Sequence, residues 1–310
     1  MLTDVLTMPV DEARAISHAD EKRIARALSP AIAWPTLALA IALPAAFAFC
    51  VALGMAEIAP LWVCAAILSL VSYAHYTLVH EAVHSNVVAG VRGWTWINPL
   101  VGWIGALGLG IGWPALRRTH ILHHSHTNTD DDPDNFVKGA FIALLPKWVV
   151  NGVLNMIPMV FLPLLARVGG NRLRQLESIF SPGEILLNSA VTLLTYALLG
   201  AALLTGHAQQ WLFLWFIPTK FGVLYLHVFF QWLPHYPFDR TDRYGATRIS
   251  HWPGGGIFTL QQNLHLMHHL WPSVPFYNYP KLYRALRPVL IEEGARIEGL
   301  YAGSWRKSKV

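Results

Sequence analysis

Residues 59–84 read APLWVCAAILSLVSYAHYTLVHEAVH, an apolar run that ends in two histidines four positions apart. The run over 59–79 is long enough to cross the hydrocarbon core of a bilayer as a helix, which takes about 20 residues. His80 and His84 then share one helix face, roughly 5 to 6 Å apart. A membrane-crossing helix that delivers a pair of imidazoles at its end is the unit from which the fold is read.

Stretches 34–53, 184–204 and 211–233 are long and apolar enough to do the same, whereas 99–113 and 148–165 are shorter or broken by Gly, Pro and Asn and read as re-entrant or interfacial helices. A hydrophobic share of 54% and charged residues at only 13% exceed what one soluble core calls for. A mean hydropathy of +0.38 says the same. Aromatic residues at 12% suit two membrane interfaces. The expected fold class is an all-α integral membrane protein with four transmembrane helices, interfacial or re-entrant helices and a cytoplasmic histidine-box cap.

Charge placement sets the sides. The turns at 54–58 and 205–210 hold no Lys or Arg and are expected to face outward. Every basic residue but Lys220 falls in the N-terminal arm, in 81–183 or after His235, so both termini are expected to be cytoplasmic. Lys220 sits inside the fourth span, where a charge calls for a carboxylate partner or a functional role. Loop basicity accounts for a pI near 9.3, and no nucleic-acid partner is expected. Asp4, Asp11, Glu12 and Arg14 precede any long apolar stretch, so no cleaved secretory signal is expected. Residues 1–310 read as a single domain, with an arm over 1–30, a core over 31–298 and a tail over 299–310.

Cys50 and Cys64 both lie in apolar runs, so any metal must be held by other groups. Fifteen histidines supply them, most in short motifs beside helix ends: His80 and His84 as H-x-x-x-H, then His120, His123 and His124, and His265, His268 and His269, each as H-x-x-H-H. Eight imidazoles exceed what one tetrahedral zinc can use, which implies two metals. Imidazole alone does not choose among iron, zinc, copper and nickel. The four-span reading brings all three motifs to one side of the membrane.

Two other classes compete. His80-Glu81-Ala82-Val83-His84 also fits the H-E-x-x-H of zinc proteases, although that reading leaves six box histidines unused. A metal transporter would need ionisable groups along its spans, and only His75, Lys220 and His227 lie there. Around the boxes, Glu81, His126, Asp134, His227 and Asn263 are candidates to hydrogen-bond a ligating ring or a metal-bound water. Asp130 to Asp134 also suit a solvated turn. Arg117 and Arg118 suit ordinary loop charge or the docking of an acidic electron donor.

The chain resembles the membrane fatty-acid desaturase and hydroxylase superfamily, whose members carry three histidine boxes around four spans. The resemblance rests on His123-His124-Ser125-His126-Thr127-Asn128 with Asp132-Pro133-Asp134, on Trp232-Leu233-Pro234-His235, and on Asn263-Leu264-His265-Leu266-Met267-His268-His269-Leu270-Trp271-Pro272. It is nearest to bacterial β-carotene hydroxylases, with carotenoid ketolases close behind. The resemblance implies two iron ions held by the eight box histidines, and a ninth ligand at His235, with His227 as its rival. It also implies O2 as co-substrate and electrons from a soluble ferredoxin-like or cytochrome-like donor. A lipophilic carotenoid or acyl-lipid substrate would enter from the bilayer, in the bacterial inner membrane. A fatty-acyl desaturase remains an alternative. His251-Trp252-Pro253-Gly254-Gly255 is similar to the haem motif of cytochrome b5-type domains, but Trp252 interrupts it and a glycine turn is the simpler account.

Overall fold

The computed structural model describes residues 17–168, 173–174 and 177–300. The N-terminal arm is thus seen only from Ser17, and most of the C-terminal tail lies outside the described residues.

Four of the described helices are long and apolar enough to cross a membrane. In chain order the elements are α1 (His18–Ala27), α2 (Trp34–Met55), α3 (Leu61–Val83), α4 (Ile97–Gly108), α5 (Trp113–His126), α6 (Phe141–Leu154), α7 (Leu162–Val168), α8 (Pro182–Leu204) and α9 (Ala208–His235), followed by strand β1 (Arg248–Ser250), α10 (His265–Leu270), α11 (Tyr279–Glu292) and strand β2 (Arg296–Glu298). The spans are α2, α3, α8 and α9, of 22, 23, 23 and 28 residues, on the four stretches expected from hydropathy. The shorter apolar stretches form sharply bent pairs: α4 and α5 meet at 104°, and α6 meets the Met159–Val168 helix at 102°. Gly110, at φ +67°, supplies the left-handed turn between α4 and α5.

Span α3 is the most enclosed, packed between α4 on one flank and α9 on the other. Tyr76, Leu78 and Val79 of α3 meet Val101 and Ala106 of α4 and Val223, Leu226 and Phe230 of α9 in one apolar core. Helix α4 lies directly on α3 because Gly105 has no side chain: a Cβ there would stand 2.6 Å from the His75 carbonyl oxygen. Small residues that let helix backbones meet are how membrane helices gain packing energy without a water-driven hydrophobic effect.

A second core builds the cap. Leu266, Met267 and Leu270 of α10 pack on Leu282, Leu286 and Leu290 of α11 and on Ile24, Ala25 and Leu28 of α1. Glu21 of α1 is buried and accepts hydrogen bonds from Tyr244 Oη at 2.6 Å, Trp271 Nε1 at 3.2 Å and Arg243 at 3.3 Å. Arg248 of β1, also buried, donates to the Leu233 carbonyl in the last turn of α9 at 2.7 Å and to Glu298 of β2 at 2.9 Å. Strands β1 and β2 pair in parallel. Arg118 of α5 bonds Glu184 at the start of α8 at 2.9 Å. The cap is thereby tied to the ends of the spans at several points.

Substituting Gly105→Ala forces the α3 and α4 backbones apart and should destabilise the purified protein by about 1–3 kcal/mol, read as a lowered Tm. Gly152→Ala, where an added Cβ meets nothing within 4 Å, should leave Tm in place.

Candidate metal centre

The last turns of α3 carry His80 and His84, α5 carries His120, His123 and His124, α9 ends on His235, and α10 carries His265, His268 and His269. These nine rings meet. His80, His84, His120 and His268 form one group and His123, His235, His265 and His269 another, each with its ligand atoms within 4.8 Å of one another; His124 joins His268 and His269 between them. Nε2 atoms face Nε2 atoms: His80 to His268 and His84 to His120 at 2.9 Å, His124 to His268 at 2.6 Å, and His124 to His120 and His269 to His265 at 3.2 Å.

The opposite ring nitrogens are engaged from outside. His123 Nδ1 bonds Asp132 at 2.9 and 3.1 Å, His235 Nδ1 meets Asn128 Oδ1 at 3.3 Å, and His265 Nδ1 meets Gln262 Oε1 at 3.4 Å. The Tyr279 hydroxyl stands 3.2 Å from His268 Nδ1 and that of Tyr76 3.4 Å from His120 Nδ1. Glu81 accepts the Phe276 N–H at 3.2 Å and its Oε1 lies 3.8 Å from His80 Nδ1. Oxygens that only accept hold the proton on Nδ1, which leaves the Nε2 lone pair turned inward.

Burial, reinforced by neighbouring imidazoles, keeps His265, His268 and His269 well below the ordinary histidine value, and burial alone brings His84 to about 4. Those four rings are neutral at physiological pH, as metal ligands must be, whereas Asp132 and Asp134 beside His123 outweigh its burial and hold that ring above the ordinary histidine value. Converging neutral imidazoles whose lone pairs face one another are a donor set that fits two closely spaced cations, and the outer hydrogen bonds are those that orient ligating histidines. Asp132 touches the outer nitrogen of His123, so the carboxylates beside that ring are read as orienting groups.

The remaining candidates make contacts of their own. Asp134 stands 3.8 Å from His123 Nδ1, but the direct hydrogen bond comes from Asp132. His126 bonds the Leu122 carbonyl at 3.1 Å along its own helix and joins none of the histidine groups. Asn263 donates to the Ser250 carbonyl at 3.1 Å and receives no box ring. His227 lies two turns deeper than His235 on α9 and interacts with Gln231 and Asn151. His251 meets Tyr283 Oη at 3.1 Å, beside the left-handed turn at Gly254. Lys220 lies 5.7 Å from the Phe216 ring, and the described residues offer it no carboxylate at ion-pair distance.

Beside the centre, α5, α6, α8 and α9 enclose a mostly apolar cavity of about 620 Å³ whose wall includes Thr119, Asp134, Val223 and Leu226. Asp134 and Thr119 bring this space to the second histidine motif.

The family model for fatty acid desaturases matches residues 56–300. The chain belongs to the fatty acid desaturase family. It is an integral membrane oxidoreductase of that family, and the histidine cluster just described fits a di-iron site. Among curated relatives, a "Beta-carotene ketolase" of Paracoccus sp. (strain PC1) is 29% identical over 223 residues, covering 70% of this chain and 77% of the relative. A second "Beta-carotene ketolase", from another Paracoccus strain, is 29% identical over 220 residues, covering 69% and 75%.

Replacing His124→Ala or His268→Ala should remove at least half of the bound metal from purified protein, measured by elemental analysis, while His126→Ala should retain it. Asp132→Asn should weaken metal affinity by roughly tenfold to hundredfold, the usual cost of losing an outer hydrogen bond.

Proposed function

We propose that the chain is an O2-dependent di-iron oxygenase that hydroxylates an unactivated C–H bond on a β-carotene-type ring. The observation that carries this is the convergence of nine histidines into two four-membered groups bridged by His124, next to an apolar cavity. His80, His84, His120 and His268 would hold one iron, His123, His235, His265 and His269 the other, with His124 between them. When bound and reduced by a soluble ferredoxin-like or cytochrome-like donor, such a pair supplies the reactivity that breaks a C–H bond at the expense of O2.

The chain's own groups do the rest. Asp132, Asn128, Gln262 and Tyr279 hold the ligand rings through their outer nitrogens. The enclosing helices keep water from the site, and the cavity between α5, α6, α8 and α9 receives a lipophilic ring from the bilayer, so that one ring carbon is held against the centre. With the turns that lack Lys and Arg outward, the cap and both termini face the cytoplasm, at a bacterial inner membrane. The whole chain acts as a single domain.

Ketone formation is the second reading, favoured by the names of the two Paracoccus relatives. Two successive hydroxylations of the same carbon, followed by loss of water, give a ketone. The choice depends on where the ring comes to rest between turnovers.

Expression in bacteria that accumulate β-carotene, with His123→Ala as the inactive control, tests the proposal by mass analysis of extracted pigment. Gain of oxygen alone establishes the hydroxylase, and gain of oxygen with loss of hydrogen establishes the ketolase. Unchanged pigment with altered membrane fatty acids overturns both in favour of a lipid desaturase.

A further inference from the structure

The cavity wall carries a polar cluster that the histidine centre does not use. His227 and Gln231, one turn apart on α9, and Asn151 of α6 all line the cavity. Gln231 Oε1 only accepts hydrogen bonds, so its contact with His227 Nδ1 at 2.5 Å puts the ring proton on that nitrogen. His227 Nε2 then accepts from the Asn151 amide at 3.2 Å. Phe136 meets the ring edge-on at 5.1 Å and Trp148 stacks on it at 6.3 Å. The imidazole is held in one tautomer and one orientation, with two side-chain amides beside it.

Polar groups inside a membrane protein are costly and tend to mark functional paths. Apolar contact would join α6 to α9 at lower cost than three interlocked polar side chains. The cluster also has a defined relation to the chemistry. Gln231 precedes His235 by one turn on α9, and Asp134 lines the same cavity while standing 3.8 Å from His123. One cavity therefore carries the hydrogen-bonding patch and also Asp134, the carboxylate that stands beside His123 of the centre.

We propose that Gln231 and Asn151, held in place by His227 between them, recognise an oxygen function, hydroxyl or carbonyl, on the carotenoid end that enters the cavity. This assignment rests on the carotenoid-oxygenase reading and adds a substrate preference to it. A hydroxyl can both donate and accept among these groups, and a carbonyl can accept from a side-chain amide. A bare hydrocarbon ring would instead strip water from the patch and return no hydrogen bond. The preferred substrate is then a ring already oxygenated, which places the enzyme after a first oxygenation, its own or that of another oxygenase.

The test uses membranes containing the full chain, supplied with β-carotene and its hydroxylated derivative in competition, with initial rates measured for each. The wild type should favour the hydroxylated pigment by roughly tenfold, the usual worth of a satisfied against an unsatisfied buried hydrogen-bonding group. Gln231→Met and Asn151→Leu, nearly the same size but unable to reproduce the network, should bring that ratio toward one while iron content holds. A wild type without preference overturns the assignment. So do variants that lose turnover of both pigments in parallel with the ratio preserved, since that is the signature of a helix cross-link. A wild type that oxidises neither pigment overturns the carotenoid reading and the assignment with it.

Discussion

Nine imidazoles converging on one space, seven of them with Nε2 facing the Nε2 of another ring, are the constraint on which the rest of this structure depends. Protonated rings would repel, and neutral rings would drift to other rotamers unless held from behind. The surroundings supply both: burial keeps rings such as His265, His268 and His269 uncharged, and acceptor oxygens behind His123, His235 and His265 hold the proton on Nδ1. The helices can be understood as means to this end. Spans α3 and α9 bring ligands from the membrane, the 104° bend after α4 turns α5 across them, and the cap core presses α10 down from above.

The short loop after α5 carries a large share of the orientation. Asn128, held at φ +64°, meets His235 through its carbonyl oxygen while its amide donates to the Arg240 and Ala246 carbonyls at 2.7 Å. Asp132 bonds His123 and also accepts the Asn128 N–H at 2.9 Å. One loop thus positions ligands borne by two helices that are distant in sequence. Disturbance of either residue is felt at both rings, so their contributions are coupled and do not add.

The four spans were legible because membrane crossing imposes a length and a composition that a sequence displays directly, and the boxes because i, i+3 and i+4 spacing is a statement about helix faces. His235 could be named only through resemblance, since nothing in its spacing brings it to residues more than a hundred positions earlier. The orienting groups were harder. Asp132 lay within the Asp130 to Asp134 run but could not be told from Asp134, because the choice depends on how the loop closes. Tyr76 and Tyr279 gave no signal at all: a tyrosine in an apolar span or at the start of an amphipathic helix reads as core, and its hydroxyl partner is set by tertiary packing. His227 reads as a rival ligand because it shares a helix face with His235, but its place two turns deeper along that helix already favours a hydrogen-bonded packing role.

The buried carboxylate of Glu21 and the Arg248 clamp carry a consequence for how the protein comes into being. Glu21, from the first described helix, is satisfied by Arg243, Tyr244 and Trp271, and Arg248 by Glu298 and the Leu300 carbonyl. Early and late parts of the chain therefore close the same cap. During synthesis, α3 and α5 emerge before their partners His265, His268 and His269 have been translated. The donor set cannot be completed until α10 has been made, so any cations would be delivered to a protein whose first spans are already inserted, and their supply would be a step of maturation separate from insertion.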